Sequence, residues 1–166
     1  MSCDVALAAY LMFAAFNPAT DPGARPTLIA APATAPATAP AGGVAQEPLF
    51  KDIVARASGL KAEVEAYRGQ IKGAAAPIDL AGFDIFKARI GELSALDQQG
   101  HELLKARGTD GDLKCILHGI SQDLPLKLAA VTAAKTGHDQ DLALRDMAYL
   151  LNDNVEVITA PPAPPV

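Results

Sequence analysis

The stretch FKDIVARASGLKAEVEAYRGQI, residues 50–71, is where the fold is decided. Phe50, Ile53, Ala57, Leu60, Val64, Tyr67 and Ile71 recur at spacings of 3, 4, 3, 4, 3 and 4. A helix of 3.6 residues per turn gathers residues so spaced along one face, whereas a strand of period two would scatter them over both. Asp52 and Arg56, and Lys61 and Glu65, are opposite charges four apart on the outer face, where such pairs contribute a few tenths of a kcal/mol each. Pro48 stands where a first-turn proline is tolerated, and Gly73 and Pro77 close the segment.

Towards the C-terminus the pattern repeats. A second helix is expected from about Asp79 to Arg107, with Phe83, Phe86, Ile90 and Leu93 in heptad register. Leu96, Gly100, Leu103 and Leu104 continue it after a shift around Asp97. Gly108 stops this helix, and Thr109–Asp112 makes a turn in which Thr109 or Asp112 is available as the next N-cap. A third helix carries Leu113, Ile116, Leu117 and Ile120. Pro125 is expected to kink or split it, leaving a second piece over Leu124–Lys135 with Leu128 and Val131 inward. Gly137 then ends that piece, and Asp139 and Asp141 supply first-turn charge to a last helix. Its stripe is read as Leu144, Met147, Leu151 and Val155, flanked by Leu142, Leu150 and Ile158. Short connections make neighbouring helices antiparallel, so residues 47–159 are expected to form an all-α, antiparallel bundle of about four helices.

Towards the N-terminus the composition changes. Residues 17–46 hold Pro18, Pro22, Pro26, Pro32, Pro36 and Pro40 among Ala, Thr and Gly, the make-up of a semi-rigid, extended linker. Before it, residues 1–16 contain the apolar run Val5–Phe16, too short to span a bilayer and of the length of a signal-peptide core. An acid, Asp4, stands where a signal peptide carries Lys or Arg, so an export signal here is atypical. The alternatives are a partner-binding helix and a peripheral anchor. The tail, residues 160–166, is rich in proline and cannot extend a helix.

Composition narrows the function. The 166-residue chain carries a net charge of −5, and its lysines and arginines lie singly among acids. Nucleic-acid binding requires a basic face, so no nucleic-acid partner is expected, and membrane contact is expected only through the N-terminal segment. No phosphate-cradling glycine loop, nucleophile elbow or His-Glu-x-x-His motif occurs, so no enzyme activity and no catalytic residue are assigned.

Three residues have chemistry worth locating. Cys115 and His118 are three apart and can share a helix face, and His101 could join them as metal or haem ligands, with Met147 a further axial candidate. A structural zinc site needs four ligands, so no metal or cofactor is assigned on this set alone. Cys115 otherwise reads as a buried small hydrophobe or a thiol able to pair between chains. The segment Gln99–Arg107 around His101 resembles the phosphorylatable-histidine helix of phosphotransfer bundles. It departs in placing Lys105 four residues on rather than three. The resulting expectation is a non-catalytic helical module that binds or scaffolds, periplasmic or extracellular on its spacer, with a cytoplasmic location as the alternative. Its partner would be another protein or a second copy engaged through an apolar stripe left over on the first helix.

Overall fold

Four apolar stripes face one axis in the computed structural model, which describes residues 43–109 and 111–160. The stripes belong to α1 (Pro48–Ile71), α2 (Phe83–Arg107), α3 (Gly111–Ala133) and α4 (Gly137–Thr159). There is no strand among the described residues. The expectations for residues 1–16, for most of the linker and for the tail beyond Ala160 lie outside the described residues.

α1 matches its sequence reading residue for residue. Phe50, Ile53, Ala57, Leu60, Val64, Tyr67 and Ile71 are all buried, and full burial of each larger aliphatic or aromatic among them contributes roughly 1.5–3 kcal/mol. The stripe is thus buried in the core. A 3-10 turn, Val44–Gln46, packs Val44 and Ala45 against the same core just before α1.

Interhelical bonds fix the directions. Arg68 reaches Asp141 and Lys61 reaches Asn152, so α4 runs antiparallel to α1. Arg56–Glu92 and Arg89–Glu63 set α2 antiparallel to α1, and Ser94–Ser121 and His101–Lys114 do the same for α3 against α2. Around the ring, α1 touches α2 and α4, and α3 touches α2 and α4. The pairs α1/α3 and α2/α4 are diagonals of an up-down-up-down bundle. Of the two charge pairs expected on α1, Asp52–Arg56 forms at 3.0 Å, whereas Lys61 leaves Glu65 for Asn152 of α4 and Glu65 pairs with Arg68.

The structure corrects several boundaries. α2 begins at Phe83, not Asp79, because the Phe83 N–H turns back onto the Leu80 carbonyl and residues 79–82 stay in the connection. Gly108, at φ 67°, closes α2 in the left-handed conformation that glycine adopts without a Cβ penalty. Asp112 is no cap: it lies in the first turn of α3, where its charge favours the helix N-terminus. Gly137 does not end α3 but opens α4. The Thr136 hydroxyl caps that helix by accepting from the Asp139 N–H at 3.0 Å. A Cβ on Gly137 would collide with the backbone carbonyl of Ala74, so only glycine lets α4 start against the α1–α2 connection. That connection is held at two further points. The Gln140 amide both accepts from and donates to the Ile78 backbone at 3.0 Å, and the Tyr67 hydroxyl reaches the Ala81 carbonyl at 3.0 Å. Burial, followed by the Glu63 carboxylate beside it, pushes the Tyr67 hydroxyl up to about 12.

Pro125 neither splits nor ends α3, which runs as one helix from Gly111 to Ala133. A proline inside a helix deprives the carbonyl four residues earlier of its N–H donor. Here that carbonyl belongs to Ser121, and the Ser94 hydroxyl of α2 donates to it at 2.6 Å. A neighbouring helix therefore supplies the bond that proline removes. Ser94→Ala should lower stability by about 1–2 kcal/mol in urea denaturation, the scale of a partly buried acceptor left without its donor. In a Pro125→Ala background, where residue 125 regains its N–H, the same change should cost measurably less.

Candidate functional site

The residues singled out by sequence meet on the α2–α3 seam. His101 of α2 is buried, and its ring lies over that of His118 of α3, with centroids 4.7 Å apart and planes tilted by 31°. His101 Nδ1 donates to the Lys114 carbonyl at 2.7 Å, since a carbonyl can only accept. His118 Nδ1 donates to Gln98 Oε1 at 3.0 Å, an oxygen that also takes the Ser121 hydroxyl, while His118 Nε2 accepts from the Gln122 amide at 3.2 Å. The two imidazoles are brought together, but as tilted neighbouring rings tied into a hydrogen-bonded seam. Only Nε2 of His101 keeps an uncommitted lone pair, with Glu102 Oε1 3.8 Å away.

Cys115 is disulfide-bonded and so offers neither the buried thiol nor the thiolate that a zinc reading requires. Met147 is fully buried in the core of α4. No group of three His, Cys, Asp or Glu among the described residues could hold a metal ion. A phosphotransfer histidine has to present a ring nitrogen to a partner protein, and His101 is buried at 5% exposure.

Two features went unread in the sequence. The first is a core pair, Asp97 of α2 and Asn154 of α4, both fully buried and joined by Asn154 Nδ2 donating to Asp97 Oδ2 at 2.8 Å. The signal for it was present. Among the buried positions, one stripe on α2 runs Phe86, Ile90, Leu93, Asp97, Gly100 and Leu104, with His101 beside it, and one on α4 runs Leu144, Met147, Leu151, Asn154 and Ile158, with Ala148 beside it. Both keep alternating spacings of three and four, so the stripe passes through Asp97 without the expected shift, and Val155 yields its inward place to Asn154. The second is a cleft of about 620 Å³ at one end of the bundle, between the α1–α2 connection and the last turn of α3. Ile78, Leu80, Phe83 and Val131 give it apolar walls, and Asp79 and Asp84 add carboxylates. Ile85 at its edge is 67% exposed. Lys87 lies 2.6 Å from Asp84 and holds its carboxyl below the usual carboxylate range.

Set against protein-family models, curated proteins and solved structures, the chain matches none of them. The arrangement of its own side chains is therefore what bears on its chemistry.

The ligand count makes a measurable statement about metals. A site occupied at 100 times its Kd would add about 2.7 kcal/mol to stability. The urea midpoint of the full chain should not move when zinc replaces EDTA. A midpoint that rises with zinc, and fails to rise in His101→Gln, would restore the metal reading.

Proposed function

We propose that the bundle is a non-catalytic module that binds or scaffolds, and that its docking face is the cleft between the α1–α2 connection and α3. The observation that carries this reading is the apolar lining of that cleft beside the exposed Ile85. Clefts with apolar walls and a few convergent polar groups are where binding concentrates. The paired histidines of the α2–α3 seam are tied to Lys114, Gln98 and Gln122, and Gln140 bonds Ile78. The occupant that suits the walls and the carboxylates of Asp79 and Asp84 is a protein segment presenting an apolar side chain next to a cation. The cleft takes over the part first given to the α1 stripe.

The same reading puts the module outside the cytoplasmic membrane, held there by the proline-rich linker. The support is the sequence of the N-terminal third, with its apolar run of signal-core length followed by an extended spacer.

A photo-cross-linking residue at position 85, introduced in the native cells, should yield one discrete adduct that the same residue at Lys51 does not give. Position 85 yielding no adduct, or the same adducts as position 51, would remove the cleft as a docking face. Mass measurement of the chain purified from its own cells addresses location separately. An intact Met1 in a soluble cytoplasmic fraction would overturn export.

A further inference from the structure

Asp97 and Asn154 join α2 to α4 across the diagonal of the bundle, between helices whose backbones make no close approach. Both residues are 0% exposed. One bond links them, Asn154 Nδ2 to Asp97 Oδ2, and it leaves Oδ1 of each residue buried with no hydrogen-bond partner. Two oxygens that can only accept cannot satisfy each other. A proton on Asp97 turns one of them into a donor. We propose that Asp97 is carried as the neutral acid, its Oδ1–H donating to Asn154 Oδ1, so that acid and amide close a two-bond ring that locks α2 to α4 and opens when the proton leaves.

The surroundings favour the neutral form. On α1 the cations are engaged by other groups, Arg56 by Asp52 and Glu92 and Lys61 by Asn152. On α2 the buried ionisable neighbour is His101, one turn along and bonded to the Lys114 carbonyl. On α3 His118 is engaged by Gln98 and Gln122, and on α4 Asp153 and Glu156 are exposed. Among the described residues no cation acts on Asp97 to hold a carboxylate in the core, and an unpaired buried charge is far costlier than a hydrogen-bonded neutral group. Burial pushes the Asp97 carboxyl up to about 8 from 3.8, and the Asn154 amide bond opposes that rise.

The sign of the effect follows. Between the unfolded value near 3.8 and the folded value near 8, the folded chain holds a proton that the unfolded chain has released. This contribution to stability is complete below pH 4 or so and is lost as pH rises through the folded value, by up to tenfold in the folding equilibrium per pH unit. Most buried carboxylates, being ion-paired, behave in the opposite way.

The test compares urea denaturation of the full chain and of Asp97→Asn from pH 5 to pH 9. In the variant an amide pair can make both bonds without a titrating proton. The wild-type folding equilibrium should weaken relative to Asp97→Asn by at least tenfold across that range. Equal pH dependence in the two proteins would overturn the proposal. An NMR titration of the Asp97 side-chain carboxyl carbon in the wild-type chain decides the matter even if the variant does not fold. A midpoint above pH 6 supports the neutral acid, and one near pH 4 overturns it.

Discussion

The packing of the bundle depends on one constraint: inward residues recurring at spacings of three and four along α1, α2 and α4, and along α3 as far as Leu124. An ideal helix drifts about 20° per heptad against such a repeat. A stripe kept in strict register therefore stays on one seam only if the helices pack closely along it. Four such stripes have one shared solution, in which each faces a common axis. Once the axis is fixed, the outward residues can meet across the seams, as Arg68 meets Asp141 and Arg107 meets Glu47. These exposed or half-exposed pairs select register and direction more than they add stability.

That constraint explains what was legible in the sequence. The buried stripe of α1 is legible in the sequence because all seven of its residues are apolar or aromatic. α2 was misread at Asp97 because hydropathy places an acid on the surface, and the reading shifted the stripe to keep it there. Spacing outranks hydropathy here, and a strict count places Asp97 and Asn154 in the core. Pro125 leaves α3 unsplit for a reason of another kind. Its effect depends on a donor from another helix, and nothing in the third helix's own sequence reveals Ser94. The α4 start was hidden likewise, since the need for glycine at 137 comes from the Ala74 carbonyl, more than sixty residues away. The cleft assembles from the α1–α2 connection and the end of α3, so no local pattern announced it. Local periodicity is readable from local sequence, and contacts between distant segments are not.

Local defects in this fold are completed by a neighbour. A proline removes a donor from α3 and a hydroxyl on α2 restores it. The α1–α2 connection carries few backbone bonds of its own, and Tyr67, Gln140 and Gly137 fasten it from α1 and α4. The same logic runs through the histidine seam, where each ring nitrogen that bonds does so to a group on another turn or another helix. Such mutual completion raises cooperativity, because loosening one helix exposes unmet polar groups on the next.

The way Tyr67 is held has an optical consequence. The chain contains no tryptophan and three tyrosines, so its near-ultraviolet spectrum belongs largely to phenols. Tyr67 lies edge-on to Phe86 with its hydroxyl between Glu63 and the Ala81 carbonyl, and burial together with the Glu63 carboxylate pushes that hydroxyl up to about 12. Loosening of the α1–α2 connection would expose this ring and bring its tyrosinate absorbance to milder alkalinity. The phenol is thus a built-in chromophore for the latch at that end of the bundle, readable without any label.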